Sequence, residues 1–253
     1  MVVEYVAFAA WCFAVAFAGG LVGLVLGNLR LPATLLVAAS PAAGTGANLI
    51  VSAAAAGSAS IAHIRARRIN WRLFAWMAPP SILGAVAGGY LSGVLPRGVL
   101  LGFIAAVLLY SGIDLLRWRP GPRDGGPSDG GLPLDVPAAV ASGAIIGLLG
   151  GIVGLILGSL RMPALLRFVG EVPHRAVGTN VAVGFFVGIA GALGHLPSST
   201  PDWTAAAVGS AASIPGALAG SRLTGRLSPE QLVRAVAIVL LVAAAGTAVE
   251  IFR

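Results

Sequence analysis

Two short clusters of small polar residues recur along the chain: Gly44-Thr45-Gly46-Ala47-Asn48, and later Gly178-Thr179-Asn180. Backbone amides, a threonine hydroxyl and an asparagine carboxamide supply several N–H and O–H donors, and glycine lets a ligand come close to the backbone. That donor set suits an oxyanion such as a sulfonate. The same residues also serve as ordinary helix caps. Their occurrence in two copies favours binding. Arg30 and Arg161 recur in the same way, each two residues before a proline. A guanidinium offers a forked donor to anionic oxygens, and it is costly near the centre of a bilayer unless it has a function. The competing place for both is a membrane–water boundary, and Arg167 is a third candidate.

Other chemistry finds little footing. His63 and His195 also correspond, but two imidazoles do not make a metal site, and a histidine at a helix C-terminus is favourable without further purpose. Asp114 stands in an apolar run with Arg117 one turn away, its expected partner. Cys12 is alone, which rules out an intrachain disulfide and a thiolate metal cluster. No hydrolase elbow, phosphate loop, HExxH or CxxC motif occurs, and the nine acidic residues are scattered through loops and helix ends. The chain is not expected to be an enzyme, and no cofactor or metal is expected.

The elements that must position these residues belong in lipid. Of 253 residues, 57% are apolar and only 10% charged, where a soluble domain carries about a quarter charged. The net charge of +7 is spread through short gaps between uncharged runs, and no basic face suited to nucleic acid is evident. A spanning helix needs about 20 apolar residues. The runs 5–27, 44–62, 73–95, 136–158, 176–196 and 203–221 qualify, and so do 98–116 and 231–249 with Asp114 and Arg234 near their ends. The first run lacks the basic leader of a secretory signal and reads as a spanning helix. The stretch 118–135, rich in Gly, Pro and charge, reads as a cytoplasmic linker between a first repeat over 1–117 and a second over 136–253.

The duplication is explicit. Residues 23–33 read GLVLGNLRLPA and residues 154–164 read GLILGSLRMPA. After a one-residue slip the register holds: Asn48 falls on Asn180, His63 on His195, Gly84 and Gly88 on Gly216 and Gly220, and Ser92-Gly93 on Thr224-Gly225. A short proline-bearing piece, 31–43 or 162–174, separates the first two long helices of each copy. If it does not cross the membrane, the sixteen arginines divide evenly between the two sides. If it crosses, each copy has five segments, the second copy is inverted, and only Arg97, Arg161 and Arg253 lie outside. The positive-inside rule selects the second arrangement. The expected fold is therefore an all-α integral membrane protein of two inverted five-segment repeats with short broken or re-entrant helices, both termini outside. Paired glycines should bring helices close, and Pro79-Pro80 and Pro215 should kink theirs.

The run Val172-Pro-His-Arg-Ala-Val-Gly-Thr-Asn180, preceded by a Gly-rich helix and Met162-Pro-Ala-Leu-Leu166, resembles the repeat signature of the TauE/SafE sulfite exporter family, also called the toluene-sulfonate uptake permeases. The likeness extends over nearly the whole chain. The first copy departs from it, with Ser40-Pro-Ala-Ala-Gly-Thr-Gly-Ala-Asn48 at the corresponding place, and both copies have Leu-Gly-Asn/Ser-Leu-Arg where many relatives carry more glycines. The resemblance implies secondary transport of sulfite, sulfonates such as sulfoacetate, or related sulfur anions by alternating access. An anion channel of the same fold and a membrane-embedded non-transport protein are the alternatives. The residues expected to bind substrate are Asn48, Thr179, Asn180, Thr45, Gly44, Gly178, Arg30 and Arg161. The expected partners are a small sulfur anion and the lipid of a bacterial inner membrane, with a homodimer left open.

Overall fold

The computed structural model describes residues 2–91, 97–118, 135–153, 156–195 and 200–250, and among these it contains ten α-helices and no strand. The first is α1 (Val2–Val22). It ends at Gly23, where φ is +70° and Leu24 N–H donates to the Gly19 carbonyl at 2.9 Å. This is a left-handed helix terminus, and a side chain there would lie 2.6 Å from Val177 Cα, so glycine is required twice over. Apolarity alone carries the first run on to Gly27; the backbone breaks it four residues sooner.

After the break comes α2 (Gly27–Val37), eleven residues and about 16 Å long. It doubles back along α1. Trp11 Nε1 donates to the Leu29 carbonyl at 3.0 Å and Tyr5 Oη to the Val37 carbonyl at 3.5 Å, so position rises on one helix as it falls on the other. Ser40 then caps α3 (Pro41–Arg65), its Oγ accepting from Ala43 N–H at 3.2 Å with proline in the first turn. There follow α4 (Trp71–Tyr90) and α5 (Arg97–Leu116). The second copy has the same order: α6 (Val136–Val153), short α7 (Gly158–Arg167), α8 (Pro173–His195), α9 (Trp203–Thr224) capped by Asp202, and α10 (Pro229–Glu250). The linker expected over 118–135 lies outside the described residues from 119 to 134, as does Ser92-Gly93. Both α4 and α9 run on through Pro79, Pro80 and Pro215 as continuous helices.

The copies are interleaved. Helix α1 packs along α9 in parallel: a Cβ on Gly216 would strike the Phe13 carbonyl, and one on Gly220 the Phe17 carbonyl. The corresponding pair is α6 with α4, where Gly84 faces the Ala144 carbonyl and Gly88 the Leu148 carbonyl. Each of these glycines lets two backbones touch, as in tightly crossed membrane helices. At the centre α3 and α8 run antiparallel, with Gly57 against Phe185, Ala53 against Gly188 and Leu49 against Gly191. Helices α5 and α10 pack together at Gly112 and Leu241.

Among the described residues five helices are long and apolar enough to cross a membrane: Val2–Val22, Pro41–Arg65, Gly98–Leu116, Pro173–Leu193 and Pro229–Val249. The outside is apolar, with Leu36, Leu83, Tyr90, Tyr110 and Leu193 among the exposed large side chains. The inside holds the polar groups, including Arg30, Asn48, Ser52, His63, Arg161, Thr179 and Asn180. This reversal of the soluble pattern is what a lipid solvent selects.

Candidate functional site

The centre is built around the two helix breaks. Leu26 and Leu157, which precede α2 and α7, have similar backbone angles (φ −93°, ψ 44° and φ −84°, ψ 49°), and no side chain caps either helix. The first intrahelical bond of α2 is Arg30 N–H to the Leu26 carbonyl at 3.3 Å. The amides of Gly27, Asn28 and Leu29 therefore point out of the helix start, at the positive end of its dipole. The breaks meet: Val25 N lies 3.2 Å from where a Cβ on Gly158 would sit.

Each break is clamped by an asparagine. Asn48 Nδ2 donates to the Gly27 carbonyl at 3.1 Å, and its Oδ1 accepts from Arg30 Nε at 3.0 Å. Arg30 Nη2 also donates to Ser52 Oγ. Asn180 Nδ2 donates to the Gly23 carbonyl at 2.7 Å and the Gly158 carbonyl at 2.9 Å, so one side chain ties both breaks together. Its Oδ1 accepts from Arg161 Nη1 at 3.2 Å. Asn180 thus spends both amide hydrogens and an acceptor in one buried place.

The two arginines are 1% exposed. Both lie inside the helix bundle. A guanidinium stays charged under physiological conditions, and a buried charge without a partner is strongly unfavourable. Among the described residues, neither has a carboxylate within ion-pairing distance. Their partners are neutral, and Arg161 Nε has no hydrogen bond at all. The copies differ here, because Gly184 occupies the place corresponding to Ser52 and Val25 fills the space beside it. A narrow cavity adjoins Arg30, lined by Gly19 and Gly20 of α1, Leu24–Leu26 of the break, Ala55 and Ala59 of α3, and Val181 and Ala217. Arg30 is the charged group on its wall.

The remaining predicted residues are placed differently from one another. Gly44 is the fourth residue of α3, and its amide already donates to the Ser40 carbonyl at 2.9 Å. Thr45 Oγ1 donates back to the Pro41 carbonyl at 2.9 Å. Gly178 is six residues into α8 and packs on the Arg68 carbonyl. Thr179 is fully buried, but its Oγ1 accepts from Asn70 N–H at 2.9 Å. The clusters do not open their helices; prolines at 41 and 173 start them earlier, so the cluster amides lie inside the hydrogen-bond ladder. The bare amides are those of α2 and α7, next to the arginines. Asp114 pairs with Arg167 at 2.6 Å and not with Arg117, which commits the third candidate arginine to a half-exposed ion pair. His63 is fully buried, and the side chain of His195 lies outside the described residues.

Sequence reasoning did not single out Ser52 or the start of α2. The signal was present in Gly23 and Gly27 flanking the three apolar residues Leu24–Leu26, which look like continuous helix by hydropathy. Comparison with known proteins adds the family. Two curated proteins of Bacillus subtilis (strain 168) are similar to the chain along most of their length. "Probable membrane transporter protein YjnA" is 26% identical over 242 residues, covering 89% of this chain and 94% of that one. "Probable membrane transporter protein YunE" is 22% identical over 247 residues, covering 88% of each. No solved structure matches. The profile of the family described as Sulfite exporter TauE/SafE matches residues 8–247, and with that match over almost its full length the chain belongs to this family of membrane transporters.

Proposed function

We propose that the protein is a secondary transporter of small sulfur-containing anions, sulfite and sulfonates such as sulfoacetate, working by alternating access in a bacterial inner membrane. The observation that carries this reading is the pair of fully buried arginines without a carboxylate, each beside an uncapped helix start. Arg30, a fixed positive charge on the cavity wall beside bare helix-start amides, is preorganised for an anion, and Arg161 holds the equivalent place at the second break. Among the described residues no carboxylate pairs with either arginine, which disfavours a cation as cargo.

The transport cycle rests on two repeats, 1–117 and 136–253, with the second inverted. The antiparallel run of α3 against α8 supports inversion, and so do the matching α1–α9 and α4–α6 contacts. Broken helices at the interface of inverted repeats are a common place for substrate in such carriers. Reconstitution tests the proposal. Vesicles loaded with unlabelled sulfite should accumulate radiolabelled sulfite by exchange, and Arg30→Gln with Arg161→Gln should abolish it. Saturable exchange separates a carrier from a pore. Sulfite flux that never saturates and shows no exchange would refute the carrier reading, and unchanged exchange in the double variant would refute the site.

A further inference from the structure

One cluster of titratable groups lies apart from the arginine pair. It starts where α3 ends. Arg67 takes a left-handed φ of 53°, with Arg67 N–H donating to the Ile64 carbonyl at 3.0 Å and Arg68 N–H to the His63 carbonyl at 2.9 Å. These paired bonds close a helix C-terminus around a position that glycine usually holds. The turn sends Arg68 back toward the molecule. Its Nη1 donates to the Ser221 carbonyl at 3.2 Å, and Nη2 lies so close to Gly225 that a Cβ there would overlap it. Burial of the guanidinium works against its charge and holds its pKa below the ordinary value.

Two imidazoles face it. His63, on the last turn of α3, is fully buried, and its ring lies near the Gly20 carbonyl without a well-formed hydrogen bond. His174, in the first turn of α8, reaches the Leu227 carbonyl from Nε2 at 3.1 Å. The three side chains are within electrostatic range of one another. From α9, Thr224 closes the group, but its hydroxyl is spent on carbonyls of α1, Leu21 at 2.8 Å and Gly20 at 3.3 Å. No carboxylate of the described residues forms an ion pair with Arg68, His63 or His174; the nearby Glu171 accepts from Asn70 Nδ2 and Val172 N–H and approaches Arg175 at 3.9 Å. An unpaired cation beside a buried, unpartnered imidazole is an unfavourable arrangement unless something else enters it.

The cluster adjoins the central cavity. His63 lies one turn beyond Ala59 on the same face of α3, and Ala59 and Gly20 both line that cavity. On the other side, Arg65, Arg67, Arg222 and Arg226 are exposed around the same end of the bundle. Such a ring concentrates anions at a mouth.

We propose that His63, Arg68 and His174 form a second anion-binding station between this mouth and the cavity, taking a small oxyanion on its way to or from the buried arginines. The station rests on the reading that the cargo is an anion. Arg68 supplies the fixed charge, and each neutral imidazole can add one N–H donor.

Nitrogen-15 spectra of the full-length purified protein, labelled at histidine, test the proposal. The chain has three histidines, and His63→Gln and His174→Gln assign them. Sulfite, thiosulfate, sulfate and phosphate are titrated in turn, in the natural protein and in the Arg161→Gln and Arg30→Gln/Arg161→Gln backgrounds. We expect at least one oxyanion to move the His63 and His174 signals in every background. Arg68→Gln should weaken that effect about tenfold, the scale of a lost charge-assisted hydrogen bond, and Arg68→Lys should recover part of it. Thermal unfolding of Arg68→Gln confirms that the variant is folded. The station is refuted if no oxyanion moves these signals, if the shifts vanish when the buried arginines are replaced, or if Arg68→Gln leaves the affinity unchanged. Sulfite flux in vesicles is a separate readout; its absence with positive spectra sinks the transport reading and leaves the station standing.

Discussion

Replacing Arg161 with glutamine separates a residue that holds the fold from one that waits for a ligand. Among the described residues the Arg161 side chain makes one hydrogen bond, Nη1 to Asn180 Oδ1 at 3.2 Å, while Nε has none. Glutamine retains an amide donor for Asn180. It removes a buried charge whose net desolvation penalty is several kcal/mol and which lacks a carboxylate to offset it. The anion-free variant should therefore be no less stable than the natural protein. Anion affinity should fall steeply. Two charge-assisted hydrogen bonds lost at about 1.5 kcal/mol each amount to roughly a hundredfold in Kd. Sulfite at a hundred times the natural Kd stabilises the natural protein by about 2.7 kcal/mol, whereas at the same concentration the variant sits near its own Kd and gains only about 0.4 kcal/mol. Thermal unfolding in detergent, with and without sulfite, reads both quantities in one series. A variant that melts far below the natural protein without sulfite would show that Arg161 is structural. A variant stabilised by sulfite as much as the natural protein would show that it does not bind the anion.

Four further outcomes follow from the same geometry. Asn180→Ala should impair sulfite exchange more than Asn48→Ala, because Asn180 holds carbonyls from both breaks and Asn48 holds one; equal and negligible effects in vesicle exchange would reject the clamp. Gly220→Val, which drives a side chain into the Phe17 carbonyl, should cost about 1–3 kcal/mol and be seen as a lower unfolding temperature, while the same change at Gly170, with nothing within 4 Å, should cost mainly backbone strain. Asp114→Asn should change stability by less than about 1 kcal/mol and leave exchange intact, since its pair with Arg167 is half exposed. A phosphatase fused to the C-terminus should be active in cells if the repeats are inverted, and an inactive fusion with a folded transporter would reject that topology.

The sequence revealed the membrane setting and the duplication well, because both depend on residue type at regular intervals. It revealed the two asparagines and the two arginines as corresponding pairs, but not how they meet. Asn48 is eighteen positions from Arg30, and only the turn at 38–40 that folds α3 back along α2 brings it into reach. The break itself is not legible by hydropathy, which is blind to backbone sign: Gly23 adds no polar group to interrupt the apolar run, and its positive φ ends the helix. Gly44, Gly178 and Thr45 appeared to be open donors since Ser40, Pro41 and Pro173 were not weighed as helix starts. Thr179 was legible as a buried polar residue, but its partner, the Asn70 amide, is 109 positions away. Asp114 was paired with its neighbour in sequence, where long-range packing offered Arg167 instead.

The interleaving of the two copies has a consequence for biogenesis. Helix α1 emerges from the ribosome well before α9, yet the groove that receives it belongs to α9; the hydroxyl of Thr224 that reaches the Gly20 carbonyl is 204 residues downstream. Until that late helix is inserted, the first half presents glycine-lined backbone to lipid or to a chaperone. Contacts so distant in sequence make assembly slow and leave early segments open to misplaced pairing. A gene cut at the linker should yield two fragments that are each degraded when made alone and rescued when made together, a dependence that a pair of self-sufficient bundles would not show.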